Sequence, residues 1–313
     1  MRNYVAVVCG PTACGKTALA VRLALALDGE VVSADSMQVY RRLNIGTAKP
    51  AKEEMCGVPH HMLDVADPAE DYSAARYVAD AAPVVDGILA RGRLPVIAGG
   101  TGLYLDALIA GRTFAPFTPA SGLREELEQR AQKEGLPALY RELRQYDPDA
   151  AGRIHPNDAK RIIRALEVFR STGRTISEHN QLTKALPPRY HAVKIGLRFQ
   201  NRADLWVRID ARVDEMFARG LPDEVRALSA VLPPDCTAMQ AIGYKELSAA
   251  LAHGRSLDDA RAEIKLRTRQ YAKRQLTWFR RDPSIGWYEW GPVPKISDAL
   301  QFSTDFLMHH GIG

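Results

Sequence analysis

Apolar residues recur along the chain in two rhythms, and their alternation predicts the architecture. YVAVVC at residues 4–9 is a short β-branched run that ends at a glycine loop and reads as a strand. From Lys16 to Leu27 the rhythm changes: Leu19, Leu23 and Leu27 recur at every fourth position, as on one helix face. EVVSADS at 30–36 predicts a second strand that breaks into polar residues, and 73–91 predicts a helix. LPVIAGGTG at 94–102 is an apolar strand that runs into a glycine turn. Strands alternating with helices imply an α/β fold: a parallel sheet core flanked by helices. Such sheets bind ligands beyond the carboxyl ends of their strands, which gathers residues 10–17, 35–38 and 99–101 around one crevice.

The texture changes at FAPFTPASG (114–122) and again at ALPPRY (185–190). Between these Pro-rich stretches the sequence is mostly helical, as in EELEQRAQKEG and DAKRIIRALEVFRSTG. Residues 114–189 therefore read as a helical insertion in a core formed by 1–113 and 190–313. HAVKIGL (191–197) restarts the sheet, and Leu205, Ile209, Val213 and Phe217 stripe a helix closed by Gly220 and Pro222. A long basic helix is predicted from Leu257 to Arg281, then a last strand at 285–290.

Composition narrows the class. No apolar run approaches the roughly 18 residues of a membrane span, and residues 1–17 show no cleavable signal pattern. Cys9, Cys14, Cys56 and Cys236 form no C-x-x-C pair, so a cytoplasmic protein without disulfides is expected. The net charge of +5 is uneven: residues 1–112 hold 11 Lys/Arg against 12 Asp/Glu, and the remainder 31 against 25. A basic excess away from the glycine loop points to a polyanionic partner or to a solvated surface.

The glycine loop itself, GPTACGKT, comprises Gly10, Pro11, Thr12, Ala13, Cys14, Gly15, Lys16 and Thr17. Its strand–loop–helix context is that of a P-loop, as in P-loop NTPase-like folds: backbone N–H groups and a helix N-terminus face phosphate oxygens. Lys16 is placed to bridge terminal phosphate oxygens, and Thr17 to hold a magnesium ion. The magnesium-orienting acid of a nucleotide hydrolase is absent, because the strand at 94–99 leads to Thr101 instead. An acid appears at Asp35, where it can act as a base on an approaching nucleophile or cap a turn with Ser36.

GPTACGKT, ADSMQVYRRLNIGTAKP, HHMLD, GGTGLYLDAL, NDAKRIIRALEV, AIGYKE and AKRQLTWFRR resemble the tRNA dimethylallyltransferases, also called tRNA isopentenyltransferases, in order over nearly the whole chain. The resemblance implies transfer of a dimethylallyl group from dimethylallyl pyrophosphate to N6 of the adenosine 3′-adjacent to the anticodon. It implies that the loop holds an isoprenoid pyrophosphate. Position by position, Asp35 resembles the general base and Thr101 the residue at the bridging oxygen of the leaving group, with Lys16 beside them. Asp35, Ser36, Met37 and Gln38 are expected at the adenosine. The chain departs from the family pattern at Met37, where many relatives carry Arg, and at Cys14, where several carry Ser.

The target base lies in a folded loop and must be flipped out, so an RNA surface is expected around the crevice. Lys160, Arg161 and Arg164 resemble one tRNA-contacting block, and Gln240, Ala241, Ile242, Gly243, Tyr244 and Lys245 another. Residues 261–281 hold eight Lys/Arg against one acid, Glu263, interleaved with Tyr271, Trp278 and Phe279. Lys273, Arg274, Gln275, Trp278 and Arg280 are the expected contacts there; the alternative is a helix that packs Leu276 and Phe279 and leaves its charges in water. Arg208 and Arg212 lie off their helix's apolar stripe and either face the pyrophosphate or form surface ion pairs; Arg208 is assigned to the pyrophosphate. Adjacent His60 and His61 point opposite ways on a strand and are expected to order a loop. The cysteine-free tail matches the compact bacterial type, and a monomer is expected. Rival readings are an adenylate isopentenyltransferase, a P-loop small-molecule kinase, and an RNA-binding module that uses the loop as a nucleotide switch.

Overall fold

A computed structural model describes residues 3–112, 122–184 and 187–312. Most of the turn-rich 114–122 stretch, and residues 185–186 of the second, lie outside the described residues. The chain divides into two compact units, Met1–Gly111 with Arg189–Gly313, and Arg112–Pro188.

The first unit begins with β1 (Tyr4–Cys9), α1 (Lys16–Ala26), β2 (Gly29–Ser33), the short α2 (Lys52–Met55), β3 (His60–His61), α3 (Ala74–Ala90), β4 (Leu94–Gly99) and α4 (Gly102–Ala110). The second unit contains α5 (Leu123–Lys133), α6 (Leu136–Tyr146), α7 (Pro148–Arg153), α8 (Ala159–Thr172) and α9 (Ile176–Lys184). The first unit resumes with β5 (His191–Phe199), α10 (Arg202–Ala218), α11 (Leu221–Ser229), α12 (Tyr244–Ala252), α13 (Leu257–Phe279), β6 (Ile285–Trp290) and α14 (Ile296–His309).

The strands form one sheet in the order β3-β2-β4-β1-β5-β6, and every pairing is parallel. Side chains alternate across it, so Val5, Val7 and Cys9 enter one core while Ala6 and Val8 enter the other. Both faces are covered, which is why YVAVVC is an unbroken apolar run rather than an alternating one. Tyr77, Tyr104 and Phe279 fill the first core, and Leu19, Leu23 and Ile209 the second. All strands point the same way, so the loops after β1, β2 and β4 emerge together at one edge. The second unit has its own core of Leu127, Leu139, Leu143, Ile162 and Leu166.

Candidate active site

The loop after β1 is shaped by backbone constraints. Gly10 has φ 141°, and a Cβ there would stand 2.4 Å from the Leu197 carbonyl oxygen, so only glycine fits. Gly15, at φ 85°, turns the chain into α1, whose first turn has no side-chain cap and no acidic residue. Its N–H groups are therefore left for an anion. The Lys16 ammonium donates to the Pro11 carbonyl at 2.7 Å, across the loop. Cys14 is buried, and its burial pushes the thiol pKa up; a thiol held protonated is a poor nucleophile, so the loop acts through its backbone. The Trp290 indole N–H fixes that backbone by donating to the Cys14 carbonyl at 2.9 Å.

Beyond β2, the Asp35 Oδ1 accepts from the N–H groups of Met37 (2.9 Å) and Gln38 (3.3 Å). This turn spends one carboxylate oxygen, and Oδ2 has no hydrogen bond among the described residues. The turn-capping and catalytic readings of Asp35 are thus compatible. The Ser36 N–H donates to Thr101 Oγ1 at 3.1 Å, and that hydroxyl donates to Ser36 Oγ at 3.4 Å. The ends of β2 and β4 are thereby tied together.

Thr12, Lys16, Thr17, Asp35 and Gly99 line one cleft of about 460 Å³. Its opposite wall is a face of α10 bearing Arg208, Ala211, Arg212, Glu215 and Met216, continued by Arg219 at the C-cap of the helix. The Arg208 Nε donates to the Ala13 carbonyl at 3.2 Å, and Arg212 donates to Thr12 Oγ1 at 3.3 Å. Both arginines therefore touch the glycine loop. Burial lowers the Arg212 pKa and the nearby Asp35 charge opposes that shift; a guanidinium stays charged at neutral pH regardless. The off-stripe spacing of 208, 212, 215 and 219 is a usable signal for this wall; it singled out Arg208 and left Arg212 open between the pyrophosphate and a surface ion pair, whereas Glu215 and Arg219 were missed. Tyr271 of α13 also lines the cleft.

Several expected contacts are corrected. Gln275 does not face outward: it is 6 % exposed, accepts from the Thr12 N–H at 2.8 Å and donates to the Gly100 carbonyl at 2.9 Å. Tyr244 is buried and donates to Glu224 at 2.5 Å, and Ala241 and Gly243 are buried beside it. Ile242 packs against the core, leaving only Gln240 and Lys245 exposed in that block. Gln38 is corrected only as a donor: its amide nitrogen is occupied internally by the carbonyls of Thr47 (3.1 Å) and Ala48 (3.2 Å), while its oxygen accepts a single bond, from Ser33 Oγ (3.1 Å). Ser36 and Met37 are half-buried.

On α13, Lys273, Arg274 and Trp278 are exposed, as is Arg280 at its C-cap, while Phe279 is buried. The helix both packs a core face and presents a cationic one. Trp278 rests on Gly102, where a Cβ would stand 2.3 Å from the indole, and donates to Asp106 at 3.0 Å. In the second unit Lys160, Arg161 and Arg164 are exposed on α8, with Arg161 paired to Asp158 and Arg164 to Glu167. His61 Nε2 lies 2.7 Å from Glu30, whereas His60 Nδ1 bonds the Val58 carbonyl, so the pair shares no partner. Among the described residues no group of three or more His, Cys, Asp or Glu could hold a metal ion, and no helix is long and apolar enough to cross a membrane.

Sheet order, glycine loop and cleft define the P-loop class of α/β proteins. The family model for IPP transferase matches residues 38–282, and that for isopentenyl transferase residues 3–69. The tRNA dimethylallyltransferase of Geobacter sulfurreducens is 50% identical over 290 residues, 92% of this chain and 93% of its own. The tRNA dimethylallyltransferase 1 of Pelobacter propionicus is 49% identical, covering 96% of each chain. Among solved structures, a tRNA isopentenylpyrophosphate transferase of Bacillus halodurans superposes with TM-score 0.73 at 41% identity, covering 98% of both chains. A eukaryotic dimethylallyltransferase described as acting on tRNA superposes with TM-score 0.82 at 30% identity, covering 99% of this chain and 81% of its own. The chain belongs to the tRNA dimethylallyltransferase family of prenyltransferases.

Proposed function

We propose that the cleft transfers the dimethylallyl group of dimethylallyl pyrophosphate to N6 of the adenosine 3′-adjacent to the anticodon in tRNA. The observation that carries this reading is the placement of Asp35, with one uncommitted carboxylate oxygen, in the same cleft as the glycine loop and Arg212. The N6 lone pair attacks C1 of the allyl group, the C1–O bond breaks, and its electron pair leaves with pyrophosphate. The N6 proton passes to Asp35 Oδ2. Loop amides, Lys16, Arg208 and Arg212 offset the charge that develops on the leaving group, and the Thr101 hydroxyl, turning from Ser36 Oγ, donates toward its bridging oxygen. The acceptor's surface is supplied by Lys273, Arg274, Trp278 and Arg280, which suits an RNA better than a free mononucleotide.

A magnesium ion suits the donors present. The Thr17 hydroxyl, a hard oxygen ligand at the start of α1, lines the cleft and has no hydrogen-bond partner among the described residues. The Thr17 hydroxyl would hold the ion, which would supply positive charge beside the leaving group.

The test pairs dimethylallyl pyrophosphate or ATP with an anticodon stem-loop, AMP or no acceptor. Prenyl transfer confined to the stem-loop supports the reading. Transfer to AMP, or phosphoryl transfer from ATP, contradicts it.

A further inference from the structure

Glu224 on α11 is outside the cleft, yet it organises one of the cleft walls. Its carboxylate accepts from three consecutive backbone N–H groups: Asn44 at 3.1 Å, Ile45 at 2.9 and 3.0 Å, and Gly46 at 3.2 Å. The buried Tyr244 hydroxyl donates to the same carboxylate at 2.5 Å. The Tyr244 ring also floors the turn, since a Cβ on Gly46 would stand 2.5 Å from it. A carboxylate that accepts several charge-assisted bonds from adjoining amides holds that backbone in one conformation.

The turn so held presents the carbonyls of Thr47 and Ala48, and both accept from the Gln38 carboxamide nitrogen. Rotating that amide by 180° would set its oxygen against two carbonyl oxygens, so its orientation is fixed. Both Nε2 hydrogens are used, whereas Oε1 carries one bond, from Ser33 Oγ, and has a second lone pair. Gln38 lines the cleft and can accept there but not donate.

We propose that Glu224, with Tyr244, is a positioning residue for acceptor-base recognition. Through the 44–48 turn it locks Gln38 as an acceptor, which favours a base edge bearing an exocyclic amine over one bearing a carbonyl. This rests on the adenosine-N6 reading above, and it adds where the discrimination is set: at a carboxylate that no substrate touches.

The experiment measures the affinity of the full-length protein for two stem-loops that differ only in adenosine or inosine beside the anticodon. The wild-type protein is expected to prefer adenosine. Glu224→Gln should cut the preference by about tenfold, as expected for one misaligned hydrogen bond at a desolvated site. Gln38→Ala should lose it to the same degree, and the double variant should lose no more than Gln38→Ala alone. Tyr244→Phe, which removes only the hydroxyl, gives a smaller loss in the same direction and stands in if Glu224→Gln does not fold. A merely structural role weakens both stem-loops alike and leaves their ratio unchanged; that result, or additive losses in the double variant, overturns the proposal. Prenyl transfer by the wild-type protein is measured alongside. If transfer occurs while the ratios stay fixed, only this inference falls; if transfer is absent, the functional reading falls with it.

Discussion

The backbone N–H of Thr12 donates to the side-chain oxygen of Gln275 at 2.8 Å, joining the glycine loop to a helix 263 positions further along the chain. The other end of that amide holds the Gly100 carbonyl, so one buried side chain clamps the loops after β1 and β4. Gln275→Leu keeps the volume but orphans a donor and an acceptor. It should destabilise the protein by about 2–4 kcal/mol in urea titration and raise the KM for dimethylallyl pyrophosphate. A variant with wild-type stability and KM would show that the clamp is idle.

Arg212 reaches the loop from the opposite wall, at 3.3 Å from Thr12 Oγ1. Arg212→Met removes a charge while retaining most of the stem. The KM for the prenyl donor should rise by about tenfold to a hundredfold, the equivalent of one charge-assisted contact, while stem-loop affinity holds. Steady-state kinetics with each substrate varied separately is the check. A loss confined to the RNA would reassign this arginine.

Much of this was legible in the sequence. The strand runs, glycine loop and off-stripe arginines are local patterns with fixed spacing, and they emerged where spacing put them. Gln275 and Tyr244 were not legible, because polar residues in motif-like blocks read as contacts when their partners are unknown. Thr12 lies 263 positions from Gln275 and meets it only through the folded sheet, and Glu224 meets Tyr244 only where α11 packs against α12. Glu224 carried no signal at all, since a lone acid on a surface helix looks like any other.

Burial pushes the Cys9 thiol up to about 12. The folded state therefore holds this proton at pH values where the unfolded chain, with a thiol pKa of about 8.5, releases it. The associated stability is present below about pH 8.5 and is lost as pH rises toward 12. Denaturation of wild type and Cys9→Ala across pH 7 to 11 should show a steeper alkaline decline in wild type. Parallel curves would indicate that Cys9 does not couple to folding.

Lys273 and Arg274 stand exposed on α13 with no ion-pair partner among the described residues. Replacing both by Ala should weaken stem-loop binding and reduce the slope of log K against log salt by about 1.4–1.8, the equivalent of two phosphate contacts. An unchanged slope would return this face to a solvated surface.

The most direct test follows the mass of an anticodon stem-loop incubated with dimethylallyl pyrophosphate and magnesium, in single turnover, for wild type and Asp35→Asn. Asn keeps an oxygen for the N–H groups of Met37 and Gln38, so the turn survives while the base is lost. Wild type should add one C5H8 unit at N6 per pyrophosphate released. The variant should bind the RNA normally and react about 10²–10⁴ times more slowly. No mass gain with wild type, or an undiminished rate in Asp35→Asn, would contradict the account.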